Sequence, residues 1–173
     1  TSGGKFFEVK PTITPRGLNV GQFVDALPGA FFASFVSPNA EENATNYSEL
    51  SKQGKEGELV KALNREFPYI QGLSVEIDSG TPMVYASIAG TAHLRKVPLT
   101  LVSGGINKFV SLLLAIASNP GGVIYVDEIE NGFYYDRLTT IWSSLFALAR
   151  QYDVQIFAST HSSECLKAIL PLI

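Results

Sequence analysis

The spacing of apolar residues along the chain changes near residue 100. Before that point, Glu56–Phe67 has apolar residues at every fourth position, which predicts a helix with one buried face. Alternating apolar and polar residues in Leu73–Asp78 and Met83–Ile88 flank Ser79-Gly80-Thr81-Pro82, and this pattern predicts a β-hairpin. Three further elements are predicted in this part: a β-rich segment Lys5–Ile13, a short strand Ala30–Val36 and a helix Ala40–Gln53.

Beyond residue 100 the pattern predicts alternating helices and buried strands. A helix opens at Ser103-Gly104-Gly105 and runs to about Ser118, and Val123–Val126 is a wholly apolar strand of the kind found in parallel sheets. A helix from about Asp136 to Tyr152, a strand Val154–Ala158 and a helix starting at Ser162 follow. Short links between such units indicate an α/β fold in which helices cover a parallel sheet.

Composition is consistent with one domain, residues 1–173, in which a mixed segment (1–97) precedes the α/β segment (98–173). The chain is 46% hydrophobic and 17% charged, which indicates a globular protein with much buried surface. A net charge of -3 gives no overall attraction to nucleic acid, although a local basic patch stays possible. Phe109–Ala117, the longest apolar run, is too short to span a membrane.

The single cysteine, Cys165, cannot form a disulfide within the chain, which suits a reducing cytoplasm. The sequence starts at Thr1 without a methionine and stops inside the apolar run Leu170–Ile173. We therefore expect it to be a fragment of a longer, cytoplasmic protein without a membrane segment.

The strongest chemical signal is the pair Asp127-Glu128 directly after the apolar strand Val123–Val126. Ligands of open parallel sheets bind beyond the carboxyl ends of the strands. Nucleotide hydrolysis needs one carboxylate for Mg²⁺ and another for the attacking water, so we assign Asp127 to the metal and Glu128 to the water. The alternative is that both residues only open a surface loop or cap a helix.

A histidine follows the next predicted strand. Ser159-Thr160-His161-Ser162 ends Val154–Ala158, which places His161 at the same edge of the sheet as Asp127. There its ring can donate a hydrogen bond to a γ-phosphate oxygen. The alternative is a helix cap formed by Ser162 or Ser163, with His161 incidental.

The third signal is Ser103-Gly104-Gly105 at the start of a helix. Two glycines leave backbone N–H groups free at the positive end of the helix dipole, which predicts an anion site. Ser103 adds a hydroxyl, and Lys108 adds a charge nearby. A simple serine–glycine helix cap is the alternative for this segment taken alone.

Together these segments resemble the ABC-type ATPases. SGGINK (103–108), VIYVDE (123–128) and STHS (159–162) are similar to their signature loop, Walker B motif and switch histidine. DEIENGFYY (127–135) is similar to bacterial AAA-family ATPases related to overcoming-lysogenization-defect proteins and to the heads of structural-maintenance-of-chromosomes proteins. The resemblance spans about Pro98–Ile169 and implies the C-terminal part of a P-loop NTPase core.

The resemblance implies the roles of several residues. Asp127 would bind Mg²⁺, Glu128 would act as general base and His161 as the γ-phosphate switch. Asn131 and Gly132 would lie in a loop that crosses a dimer interface, and the Ser103–Gly105 loop would cap the ATP held by a second subunit. An ATP-dependent homodimer is implied, and so are roles in DNA repair or phage defence, with DNA or a nuclease as partner.

Three features depart from the family pattern. SGG (103–105) replaces the G-x-G form that is more common in the subfamily and is closer to transporter-type signatures. Phe133 and Tyr134 stand where the subfamily usually has leucine and histidine. A phosphate-binding G-x-x-x-x-G-K-[ST] loop is absent from the sequence, and Thr1–Lys5 does not replace it because Phe6 follows the lysine. The parent protein is therefore expected to be the ATPase, with this piece inactive alone. The alternative function is a non-hydrolysing dimerisation or interaction module.

Overall fold

The computed structural model describes residues 12–14, 17–19, 27–90 and 95–172. Most of the predicted strand Lys5–Ile13, and the Thr1–Lys5 segment, lie outside these residues. In chain order the strands and helices are β1 (Thr12–Thr14), β2 (Gly17–Asn19), β3 (Gly29–Phe32), α1 (Ala40–Lys52), α2 (Glu56–Glu66), β4 (Ile70–Asp78), β5 (Thr81–Ile88), β6 (Arg95–Pro98), α3 (Leu99–Val102), α4 (Gly104–Ser118), β7 (Val123–Val126), α5 (Leu138–Tyr152), β8 (Gln155–Ala158) and α6 (Ser163–Ile169). Single 3₁₀ turns precede α5 and follow α6, at Tyr135–Arg137 and Leu170–Leu172.

Three parallel strands form the sheet that carries the candidate site. Their order is β3-β7-β8, and Phe32, Val126 and Ala158 are in register at their carboxyl ends. This arrangement confirms the predicted α/β fold with a parallel sheet. It also confirms that Asp127 and His161 follow neighbouring strands.

Helix α4 lies at the centre of the core and packs against α1, α2 and α5. It buries 12 of its 15 residues, and Phe109, Leu113 and Leu114 are fully inaccessible to solvent. A helix that is apolar on nearly all sides is stable only when other elements surround it. The exposed residues of α4 are therefore confined to its two ends, and the N-terminal end lies at the candidate site.

The parallel sheet is less completely buried than its sequence predicts. Ile124 and Val126 point into the core, whereas Tyr125 between them is half-exposed and stacks on Phe157 with a ring separation of 5.4 Å. Phe31 stands next to Tyr125 in the register and is also exposed. Successive side chains of a strand point to opposite faces, so an apolar run cannot show by itself that both faces are covered.

A separate antiparallel sheet contains β4, β5 and β6 in that order. The predicted hairpin is confirmed, with Ser79 and Gly80 as its two-residue turn at φ values of 50° and 87°. Such a left-handed pair is typical of a type I′ turn, whose twist matches that of the flanking strands. Across the described ranges, no helix combines the length and the hydropathy needed to cross a membrane.

Candidate nucleotide-hydrolysis site

The backbone hydrogen bonds of the parallel sheet continue beyond its strands. The amide of Asp127 donates to the carbonyl of Phe32 at 2.8 Å, and the amide of Ser159 donates to the carbonyl of Val126 at 2.9 Å. The three chain segments therefore leave the sheet side by side. Polar residues from all three, Ser34, Asp127 and Ser159, meet at this edge.

Asp127 is held as a charged carboxylate by hydroxyl groups from both neighbouring segments. Ser159 Oγ donates a 2.6 Å hydrogen bond to Asp127 Oδ1, and Ser34 also hydrogen-bonds the carboxyl group. These bonds, that of Ser159 first, lower the pKa of Asp127 below its ordinary value of 3.8. Asp127 is therefore a stable anion that remains partly accessible to solvent.

Glu128 adopts a left-handed backbone conformation, with φ at 44°. Its amide donates to Ser159 Oγ at 2.9 Å, so one serine hydroxyl contacts both members of the acidic pair. Asn131 Nδ2 donates to Glu128 Oε2 at 2.5 Å, while Glu128 Oε1 lies 4.0 Å from His161 Nε2. One carboxylate oxygen is thus fixed and the other faces the histidine.

His161 is well exposed at this edge, with 85% of its side chain accessible. Its backbone is nevertheless fixed, because the amide donates to Glu130 Oε1 at 2.9 Å. Burial raises the pKa of Glu130, but hydrogen bonds from Thr160 and from backbone amides outweigh it and the net pKa is lowered. Glu130 therefore ties the loop of His161 to the loop of Glu128 while the imidazole ring stays free to meet a ligand.

The two glycines at the start of α4 have different environments. A Cβ on Gly105 would lie 2.2 Å from the carbonyl oxygen of Gly132, so the approach of these two backbones requires glycine. A Cβ on Gly104 would meet nothing within 4 Å. Gly105 thus has a packing role inside the chain, whereas internal packing does not explain Gly104.

Ser103 caps α4 in the way the alternative interpretation proposes. Its Oγ accepts a 3.3 Å hydrogen bond from the amide of Ile106. Ser103 and Gly104 are both exposed, so the cap leaves the start of the helix open to solvent. Next to it, Gly104, Lys108, Asn131 and Gly132 face residues 32–38 across a cavity of about 270 Å³.

The structure thus brings together most of the residues singled out in the sequence. Asp127, Glu128, Asn131 and His161 form one cluster, and Gly105 joins it through Gly132. Ser34, Ser159 and Glu130 were not assigned roles from the sequence. The sequence predicts Ser34 inside the strand Ala30–Val36, but β3 ends at Phe32, so Ser34 lies just beyond the carboxyl end of the strand. Glu130 acts on a backbone amide, a contact that leaves no sequence pattern.

The chain is similar to a protein family and to known proteins. A family model described as "AAA domain, putative AbiEii toxin, Type IV TA system" matches residues 31–166. An ATP/GTP phosphatase of Helicobacter pylori is 26% identical over 117 residues, which cover 66% of this chain and 30% of that protein. The SMC head domain from Thermotoga maritima has a TM-score of 0.48 at 14% identity, covering 92% of this chain and 61% of that domain. The chain thus spans less than a third of the curated relative.

Proposed function

The chain belongs to this AAA-domain family, and on that premise we propose that it supplies the hydrolytic edge of a Mg²⁺-dependent ATPase that dimerises around ATP. The observation that carries the proposal is the hydroxyl of Ser159, which contacts Asp127 and the amide of Glu128 at once. A metal-binding carboxylate and a base must keep a fixed relative position during phosphoryl transfer. A shared hydroxyl provides that constraint.

The residues at this edge suit a magnesium ion bound together with ATP. Mg²⁺ in nucleotide enzymes is held by one or two carboxylates and by the phosphates themselves. Asp127 provides an accessible carboxylate with a lowered pKa, and the hydroxyls of Ser34 and Ser159 lie beside it. When bound, the ion would neutralise charge that develops on the phosphate oxygens.

Glu128 has the properties of the base. Asn131 restrains one of its oxygens, and about a third of the side chain is accessible, so the other oxygen can meet a water molecule. Glu128 would accept a proton from that water. The exposed His161 ring, whose Nε2 lies 4.0 Å from Glu128 Oε1, would donate a hydrogen bond to the terminal phosphate.

The start of α4 is proposed to bind ATP held by a second copy of the protein. Gly104 has open space where a Cβ would be, and the exposed Ser103 hydroxyl can still donate a hydrogen bond. Backbone amides at the start of a 15-residue helix favour anions such as phosphate oxygens. A homodimer with ATP between the subunits would use this surface.

The proposed biological role is less specific than the proposed chemistry. The family description names a putative toxin of a type IV toxin–antitoxin system. This description is compatible with the expected role in phage defence. DNA or a nuclease as partner rests on the sequence resemblance alone.

Substitution of Glu128 in the full-length protein tests the proposal. We expect Glu128→Gln to lower kcat by about 10²- to 10⁴-fold, because the amide cannot accept the proton, while ATP binding is retained. ATP-bound dimer should then accumulate, as measured by light scattering. Glu49→Gln, in an exposed ion pair on α1, is the matched control and should leave kcat unchanged.

Two results would contradict the assignment. Normal turnover by Glu128→Gln would show that another group activates the water. A wild-type protein that dimerises or binds nucleotide without any turnover would instead favour the non-hydrolysing interaction module.

A further inference from the structure

Lys108 connects the start of α4 to the loop that carries Glu128. Its Nζ donates to the carbonyl oxygen of Glu128 at 3.0 Å and to that of Asn131 at 3.1 Å. The same ammonium lies 5.7 Å from the centre of the Phe133 ring. One side chain therefore contacts the first residue of the turn, its last residue and the aromatic ring that follows.

The surroundings of Lys108 are unusual for a lysine, because it is partly buried next to several carboxylates. Burial lowers the pKa of its ammonium group, and the negative charges of Glu130, Glu128 and Asp127 oppose that effect. A lysine used only for solubility would extend into water. The position of Lys108 is instead determined by the acceptors that it meets.

The turn that Lys108 holds depends on external support. The amide of Asn131 donates to the carbonyl of Glu128 at 3.0 Å, which closes the turn, and Glu128 itself has a left-handed backbone. This conformation is unfavourable for most residues other than glycine, so it persists only where neighbouring groups enforce it. Two side chains bind the backbone of Glu128: Lys108 donates to its carbonyl oxygen, and Ser159 Oγ accepts from its amide.

We propose that Lys108 is a positioning residue for the proposed hydrolysis: its ammonium fixes the Glu128–Asn131 turn to the first turn of α4. The carboxylate of Glu128 is thereby oriented by the same helix whose start, Ser103-Gly104, is proposed to receive the ATP of a second subunit. Binding at that helix end is thus coupled to the orientation of the base. This inference rests on the proposed function.

The test compares Lys108→Met, Lys108→Arg and Lys61→Met in the full-length protein. Methionine keeps an unbranched apolar stem but donates no hydrogen bond, so kcat should fall by about 10²-fold while the dissociation constant for ATP changes by less than about threefold. Arginine can donate to both carbonyls and should recover activity to within about tenfold of wild type. Lys61, which is exposed on α2, controls for the lost charge.

Amide hydrogen exchange of residues 129–133 separates the two proposals. Lys108→Met should accelerate exchange in this segment, and Lys61→Met should not. If the wild-type protein hydrolyses no ATP, the proposed function fails, and exchange alone decides whether Lys108 positions the turn. Unchanged exchange in Lys108→Met overturns the inference, and so does a kcat within about threefold of an active wild type.

Discussion

The two three-stranded sheets of this molecule are stabilised in different ways. The antiparallel sheet has strands of up to nine residues, and its shape follows from the backbone ladder and from the Ser79-Gly80 turn. Each strand of the parallel sheet has four residues, and the segments beyond them are held by side chains that bind backbone groups. Ser159, Glu130 and Lys108 all make such contacts.

This difference shows where the chain is sensitive to substitution. In a backbone ladder the hydrogen bonds survive most changes of side chain, because each residue brings its own donor and acceptor. At the edge of the parallel sheet, one side chain often provides the bond that another residue's backbone needs. Single substitutions there should affect both the conformation and the proposed chemistry.

The largest effect on stability is expected from Gly105 in the first turn of α4. Gly105→Ala would place a methyl group 2.2 Å from the carbonyl oxygen of Gly132, and two backbones would have to separate. We expect a loss of about 3 kcal/mol in the free energy of unfolding, measured by chemical denaturation. Gly104→Ala adds the same methyl group in open space, so its stability should match the wild type within about 0.5 kcal/mol.

ATP-dependent dimerisation should distinguish Gly104→Ala from the wild type, although their stabilities match. Gly104→Ala, although stable, is expected to weaken the ATP-dependent dimer, because its methyl group would occupy the surface proposed to approach phosphate. If Gly104→Ala dimerises fully in the presence of ATP, the start of α4 does not bind the ATP of a second subunit.

A smaller, pH-dependent effect is expected from Ser159→Ala. The fold lowers the pKa of Asp127, so this carboxylate adds stability above the pH at which the unfolded side chain titrates, near 3.8, and the contribution is lost as the pH falls through the folded pKa. Without the Ser159 hydroxyl that pKa should rise. Tm should therefore drop by a few degrees at pH 7, and the difference should shrink below about pH 3.

Ser48→Ala is the control for this measurement. Ser48 Oγ donates to the carbonyl of Ala44 within α1, so its loss should change Tm by a similar amount at both pH values. A deficit of Ser159→Ala that stays constant from pH 7 to pH 3 would show that Asp127 does not depend on this hydroxyl.

The smallest effect is expected in the antiparallel sheet. Glu76 and Lys96 form an exposed ion pair across that sheet, and the bond from Lys96 lowers the pKa of Glu76. Exposed pairs contribute little, so Glu76→Gln should change Tm by about 1 °C or less, as measured by calorimetry. A shift in Tm as large as that of Ser159→Ala would mean that side-chain contacts matter as much in the antiparallel sheet as at the edge of the parallel sheet.

Much of the fold could be predicted from the sequence because its patterns are local. The apolar run Val123–Val126 and the period of four in Glu56–Phe67 gave elements that match the structure to within a residue. Helix α5 was expected from about Asp136, but a 3₁₀ turn comes first and the α-helix begins at Leu138. The ends of elements depend on capping contacts, which periodicity does not report.

The candidate site could be predicted in part, for a topological reason. Neighbouring parallel strands end at one edge, so the proximity of Asp127 and His161 followed from chain order alone. The contacts of Lys108 with two carbonyl groups could not be predicted, because every residue has a carbonyl and no residue type marks the acceptor. The different roles of Gly104 and Gly105 could not be predicted either, because the contact that distinguishes them is with the backbone carbonyl of Gly132.

The left-handed backbone of Glu128 has a consequence for how this protein can evolve. Asparagine and glycine tolerate that conformation better than glutamate, so either one would relieve local strain. Selection for stability alone would remove the proposed base, and selection for turnover must oppose that drift. Relatives with asparagine or glycine at this position are expected to be more heat-resistant proteins that retain nucleotide without consuming it.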